Sequence, residues 1–516
     1  MAAFLIAMTG CQKEAQPSTG DEIAAGEKVY MAFRIQAVDT RSGSDGTSND
    51  DGGNVNIPGD SNSDATPDFE IGSIAENTIS NIQIVLKNSE KFIIADATLN
   101  DGTGAYKDTW VATFNSSSIA IGDRFDVYIY ANCKAQSNLD ATSEETIGNM
   151  TKANNFWMTN AYEPVNVEIT ALSTNIDAPT LLGEHYIERS MARFDYMAVN
   201  LDNTYDLTVA NSGELQVTLT HAAIINQSKE FYYLRRATKG TTSTEVIGYP
   251  ELQNNYVVDT DWDEKKAAYT ANPQDFSSVA NNFDYHINDL STHINEANFW
   301  TSLSGLPEDN WDGTDDGKNH PNDDYRVFGY VKENTLPDVN SQVNGMSTGV
   351  IFKGQITGTL VTDAQGEDIY MFDNKLYGVW DNVVSAAAND EVLKHYTSES
   401  VFGDEIDDTE YEALAKAGFT RYTADTNGDY YTYYYYWNRH NDNGKPQEMG
   451  HMEFAVVRNN VYKLCVDYIT KLGHPTPGTP DPDPIEPGDP DESGEYYFGV
   501  SVKVVPWVVR VNHIGW

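Results

Sequence analysis

Basic residues are scarce in this chain of 516 residues: 33 Lys and Arg stand against 78 Asp and Glu, a formal net charge of −45. A surface that acidic repels nucleic-acid phosphates and anionic lipid headgroups, so nucleic acid is not an expected partner. Cysteine is scarcer still. Cys11, Cys133 and Cys465 are an odd number at wide spacing, which makes neither a disulfide framework nor a zinc site. Cys133 and Cys465 end or occupy strand-like runs, "DVYIYANC" and "VYKLCVDY", and read as small buried hydrophobes, with a disulfide between them as the alternative. The ten histidines are scattered, with no His-Glu-x-x-His pair, and no Walker-type glycine loop is present. No apolar run is long enough to span a bilayer.

Signals for catalysis are as thin. "GMSTG" (345–349) has the Gly-x-Ser-x-Gly spacing of hydrolases. That chemistry needs a strand, a sharp turn and then a helix to lift the serine hydroxyl, whereas a strand-like "VIFKGQITG" follows Ser347. Ser347 is therefore expected to be non-catalytic, and the chain is not expected to be an enzyme or to carry a cofactor. Two acidic loops, "DNWDGTDDGKNHPNDD" (309–324) and "DTNGD" (425–429), offer oxygen ligands of the kind calcium takes. Neither completes the twelve-residue pattern with its closing Glu, and both read as solvated turns.

What is abundant is strand signal. From about residue 71 come "ISNIQIVL", "KFIIADATL", "TWVATF" and "FDVYIYANC"; after residue 190 come "ELQVTLTHAAII", "YRVFGYVK", "TGVIFKGQITGTLV", "YYTYYYYW" and "EFAVVRNNVYKLCVDYI". Helical stretches are short and few, with "SEETIGNMTKANNFW" and "DTEYEALAKAG" as candidates. The pattern predicts an all-β fold with minor short helices, built as two β-sandwich domains. In "YYTYYYYW" (430–437) both faces are aromatic. One face must be buried, and the other, with Tyr433, Tyr435 and Trp437, is a candidate contact surface for sugars or partner proteins.

Both ends of the chain are distinctive. "AAFLIAMTGC" is a short apolar stretch closed by small residues, which resembles the tail of a bacterial lipoprotein signal with Cys11 as the acylated residue. Residues 29–38 then alternate, with Val29, Met31, Phe33 and Ile35 on one face, as in a half-buried strand. Residues 41–68 are Gly, Ser, Asn and Asp with almost no apolar side chain. They cannot bury enough surface to offset their ordering entropy and are expected to be open to proteases.

At the other end, "GHPTPGTPDPDPIEPGDPDESG" (473–494) is a Pro- and Asp-rich linker of 22 residues. Extended at about 3.1 Å per residue it reaches roughly 65 Å, well beyond the ~22 Å radius of gyration of a compact body of about 430 residues. Behind it, Phe498, Val500, Val502 and Val504 share one strand face. The apolar set shifts at Pro506 to Trp507, Val509 and Val511, so a register change is expected there. Such a strand left free is an aggregation hazard, and two docks are open to it: its own domain or a neighbouring copy.

Five stretches in order, "MTGCQKE", "KVYMAFRIQAVDTRSG", "IERSMARFDY", "VVRNNVYKLCVDYITKLG" and the terminal "VSVKVVPWVVRVN", resemble the fimbrillins of type V pili, and among them the shaft subunits of minor, Mfa-type fimbriae. The resemblance implies transthyretin-like sandwich domains and a defined maturation. A precursor carrying palmitate at Cys11 reaches the outer membrane and is displayed at the surface. An arginine-specific proteinase cuts between Arg41 and Ser42, and the first strand (Val29, Met31, Phe33, Ile35) leaves. The C-terminal strand of another copy (Val500, Val502, Val504, Pro506, Trp507, Val509, Val511) fills the groove, and a head-to-tail filament grows that also engages accessory subunits and host or bacterial surface ligands.

On this reading residues 1–11 are the lipoprotein signal, 12–41 a propeptide with the first strand, and 42–70 an acidic loop. Residues 71–188 and 189–472 form the two sandwiches, 473–494 the linker and 495–516 the donor strand. An anchor or tip protein of a fimbria, and a monomeric glycan-binding surface lipoprotein, are the alternatives.

Overall fold

A computed structural model describes residues 26–37 and 70–508, apart from residues 102, 201, 211–212, 239–245, 248–255, 273–274, 307–324, 338, 408, 441–447 and 478–497. The fold is all-β with a few short helices, as the pattern predicts. The first unit is built from β1 (Lys28–Ala37), β3 (Ile82–Lys87), β4 (Phe92–Asn100), β5 (Thr109–Asn115), β6 (Arg124–Ala131), β7 (Met158–Asn160), β8 (Val165–Glu168) and β9 (Thr180–Arg189). A two-residue strand, β2 (Glu70–Ile71), belongs to the second unit.

The strand order β3-β4-β5-β1-β9-β7-β6 closes on itself because β3 also pairs with β6, while β8 extends the line of β7 along the same edge of β6. The two layers of this sandwich are thus one hydrogen-bonded sheet wrapped around a single core. Alternation explains which residues fill that core. Ile84, Phe125, Val127, Ile129 and Ile187 point inward and are fully buried.

The second unit is a two-layer sandwich. One sheet runs β2, β17 (Phe498–Val508), β16 (Asn460–Ile469), β10 (Ala192–Ala198), β13 (Arg326–Val331). The other runs β11 (Thr204–Leu207), β12 (Leu215–Ile225), β14 (Gly349–Gly358), β15 (Tyr430–Trp437). Phe194, Tyr462, Leu464 and Val466 of the first sheet meet Val217, Val350, Phe352 and Tyr434 of the second. Val461, at the start of β16, instead packs into the core of the first unit, so the two units share side-chain contacts.

Two long insertions leave this sandwich. From the 226–302 insertion, Phe276, Phe283 and Phe299 pack on Ile225, Ile351 and Trp437 at the outer face of the β12–β14–β15 sheet. Residues 359–425 form an aromatic knot of Tyr370, Trp380 and Phe419 with their neighbours.

The helices are short. α1 (Ile74–Asn77) has a complete capping box, Ser73 with Glu76. Of the two stretches read as helical, one yields a single turn, α2 (Ile147–Met150), and the other yields α6 (Tyr411–Lys416). α3 (Trp262–Ala271), α4 (Trp380–Ala386) and α5 (Glu391–Tyr396) lie in the insertions and were not anticipated. α5 carries a legible start signal, since the Asp390 carboxylate accepts the Val392 and Leu393 amides.

Candidate functional site

The first strand lies in the middle of its sheet. β1 runs antiparallel to β5, with Met31 opposite Ala112, and parallel to β9, with Ile35 opposite His185. Val29, Met31, Phe33 and Ile35 are all buried in the core. Each such side chain contributes roughly 1.5–3 kcal/mol by burial, so the four hold β1 with about 6–12 kcal/mol gross. Without β1 an apolar slot would lie open between β5 and β9.

The slot has a marked register. The pairing with β9 skips a residue between Ala32 and Arg34, where Gly183 adopts φ +96°, a left-handed conformation that favours glycine. On the outer face Arg34 and Glu184 form an ion pair at 3.7 Å, with side chains 44% and 51% exposed. Arg34 is therefore accessible as a side chain, while its backbone is committed to the ladder with β9. Under Phe33 lies His185, buried, its ring 5.7 Å from the Phe33 ring. Its Nε2 is 3.1 Å from the Leu182 carbonyl oxygen and its Nδ1 has no partner. Burial pushes the imidazole down to about 4.

The segment "IERSMARFDY" joins the two units, and the structure explains its charges. Arg193 is fully buried and donates to both oxygens of Asp195 at 2.8 Å and to both oxygens of Glu76 at 3.1 Å. Tyr330 adds a 2.7 Å bond to Glu76, and Arg189 reaches Asn77 and the Glu76 carbonyl. Burial alone would raise the Glu76 carboxyl, but Arg193, Arg189 and Tyr330 outweigh it and hold it below its ordinary range. Beside this cluster Arg235 pairs with Glu188, and Arg458 grips Glu333 at 2.8 Å and the carbonyls of Tyr232 and Tyr233. Each of these charged side chains has a partner of opposite sign, although burial outweighs Arg235 at Glu188 and pushes that carboxyl up to about 7. Sequence counting treats these arginines as surface charge and misses them.

The last strand lies on its own chain. β17 is antiparallel to β16 from Phe498↔Ile469 through Val502↔Leu464 to Pro506↔Asn460, and Val500 packs against the second core. Trp507 and Val508 pair in parallel with Glu70 and Ile71 of β2. Of the two docks left open by the sequence, this single chain occupies the first as far as Val508. The register irregularity expected at Pro506 is found instead between Val466 and Tyr468. At Pro506 the ladder to β16 ends and the one to β2 begins, as a residue without an N–H allows.

The tyrosine run departs from its expected role. Tyr430, Thr432 and Tyr434 face the second core, but Tyr433, Tyr435 and Trp437 are not an open surface. They pack under the 226–302 insertion, with Trp300 6.0 Å from Tyr433. The edge of β15 is closed as well, because His474 forms a pair of 2.8 Å backbone bonds with Tyr433. A long loop covering a flat aromatic face leaves no trace in strand periodicity.

Ser347 is fully buried in a turn beneath Phe276 and is followed by β14. Cys133 and Cys465 are both buried thiols and are not joined in a disulfide. In 425–429 the Asp425 carboxylate accepts the amides of Asn427 and Asp429, a turn that satisfies itself. Cys11, Arg41, Ser42, Val509, Val511 and the 309–324 loop lie outside the described residues.

The class these features define is a two-unit all-β protein whose first strand is central to one unit and whose last strand is laid on the other. More particularly, its C-terminal part is similar to that of fimbrillins. Residues 427–513, which include β15, β16 and β17, match the family model described as major fimbrial subunit protein type IV, fimbrillin, C-terminal. This agrees with the resemblance read from the sequence. No curated protein matches the chain.

Solved structures similar to it include a fimbrilin from Porphyromonas gingivalis W83, at 13% identity over 93% of this chain and 98% of that one, TM-score 0.39. A protein described as a cell adhesion protein from Parabacteroides distasonis ATCC 8503 matches at 13% identity over 94% and 97%, TM-score 0.36. The tip fimbrial protein Mfa3 from Porphyromonas gingivalis matches at 8% identity over 93% and 100%, TM-score 0.30.

Proposed function

We propose that this chain is a structural subunit of a bacterial surface fimbria that polymerises by strand exchange and supports adhesion or biofilm formation. The precursor is lipidated at Cys11 and held at the outer membrane. An arginine-specific proteinase cuts after Arg41, β1 leaves its slot, and the C-terminal strand of another copy takes its place. The filament grows head to tail and ends in accessory subunits.

One observation carries this reading: β1 is a central strand with four buried apolar side chains, yet it is followed by residues 41–68, a polar stretch suited to cleavage. Taking a central strand out of a sheet exposes two edges and a core face at once, and such a surface demands a replacement strand. The packing of Tyr433, Tyr435 and Trp437 with residues of the 226–302 insertion supports this reading over a monomeric glycan-binding role that relied on that aromatic face.

Arg41→Ala tests the proposal. The variant should accumulate as full-length monomer at the cell surface and give no ladder of polymers on gels. Wild-type polymerisation of Arg41→Ala would refute the processing site.

A further inference from the structure

A cavity of about 810 Å³ opens where the two units meet the 226–302 insertion. Glu144 and Ile147 reach it from the first unit, Tyr330 and Lys332 from β13 and the residue beyond its end, and Tyr285 and Phe299 from the insertion. Its size is that of small-ligand sites, ~300–1,000 Å³. Neither β1 nor β17 lines it, and neither does Tyr433, Tyr435 or Trp437.

Two polar groups in its wall are buried with hydrogen-bonding capacity to spare. Ser228 is 5% exposed, and its Oγ has no hydrogen-bond partner among the described residues. A hydroxyl shut away from water in that state costs free energy that a ligand oxygen would recover. Lys332 is also 5% exposed. Its Nζ donates to the Lys229 carbonyl and lies 5.9 Å from the Phe231 ring, so two of its three N–H donors remain to be used among the described residues. Burial pushes the ammonium below its ordinary range, while Asp284, Glu145, Glu144 and Glu230 act against that without pairing with it.

Tyr285 forms part of the wall from a strained position. Its φ of +54° is in the left-handed region, which a bulky residue seldom adopts, and strain of this kind gathers at functional sites. The half-buried ring is braced edge-on by Phe299 at 5.0 Å and His293 at 5.2 Å.

The charges narrow the class of ligand. Glu144, Asp284, Asp289 and Glu296 line the cavity against Lys229 and Lys332, so an anion is repelled at the rim. A cation is repelled at the buried end by Lys332. A hydroxyl both donates and accepts, and a neutral polyol can therefore use the buried donors and the rim carboxylates together. An aromatic ring with such polar groups around it suits a sugar, which has an apolar C–H face and hydroxyl edges. We propose that this cavity binds a neutral sugar residue, with Ser228 and Lys332 donating to its oxygens, Glu144 and Asp284 accepting from its hydroxyls, and Tyr285 packing on its C–H face. Binding here requires no exchange of strands.

Saturation-transfer NMR on the unprocessed chain tests the site, with glucose, galactose and N-acetylglucosamine as neutral probes and glucuronate and glucosamine as their acidic and basic counterparts. At least one neutral probe should bind at millimolar concentration, and more tightly than either charged one. Ser228→Ala removes a hydroxyl that has no partner in the protein, so the thermal midpoint should hold while binding weakens roughly two- to tenfold. Lys332→Met should weaken it roughly ten- to hundredfold, as loss of a charged donor does. Asn298→Trp, at an exposed position on the rim, should block entry. Binding that is unchanged in both Ser228→Ala and Asn298→Trp would overturn the site. A preference for glucuronate or glucosamine would overturn the neutral class, and no binding of any neutral probe would overturn the proposal altogether.

Discussion

His185 should make the seat of β1 sensitive to acid. The ring is buried under Phe33 with an unpartnered Nδ1 and an imidazole held down at about 4. When β1 leaves, the ring meets water and returns toward its ordinary 6.5. A lowered histidine favours the neutral form in the closed state, so its contribution is fully present above pH 6.5 and is lost as pH falls toward 4.

For values of about 4 and 6.5 the loss between pH 7 and pH 5 is about 1.8 kcal/mol, or about 20-fold in the opening equilibrium, approaching ~3.4 kcal/mol below pH 4. Hydrogen exchange of the peptide spanning residues 26–37 in the unprocessed chain reads that equilibrium, once rates are corrected for intrinsic pH dependence. Opening should rise about 20-fold on acidification in the wild type. In His185→Gln, which keeps a donor for the Leu182 carbonyl but cannot be protonated, it should stay nearly flat. Identical pH profiles for the two proteins would refute the coupling of this histidine to the strand.

Two further outcomes test the packing. Phe33→Ala should loosen β1 by about 3–5 kcal/mol, the usual range for a buried Phe, and hydrogen exchange should show protection lost in β1 before the second unit is affected. Arg458→Ala strips the partner from the buried Glu333 carboxylate and should cost about 3–5 kcal/mol, seen as a lowered urea midpoint; Arg458→Ala/Glu333→Gln should recover part of it.

Some of this was legible in the residues and some was not, for definite reasons. The alternation of Val29, Met31, Phe33 and Ile35 reports burial directly, because a strand presents every second side chain to one face. The strand after Ser347 was equally plain, and it disposed of the hydrolase motif. The partner of β17 was not legible: periodicity says which face of a strand is apolar, never which strand lies beside it. Tyr433 and Tyr435 misled for a related reason, since a layer supplied by residues 226–302 is a tertiary event with no local signal. Arg189, Arg193 and Arg458 were noticed only within stretches that resemble a family. Their burial depends on Glu76 and Glu333, more than a hundred residues away in sequence.

The waist between the two units resists bending. Tilting one half against the other would draw Arg193 and Tyr330 away from Glu76 and strand a carboxylate where water does not reach. The two units should therefore move as one body, and, on the filament reading proposed above, whatever suppleness a thread of these molecules possesses resides where one molecule meets the next.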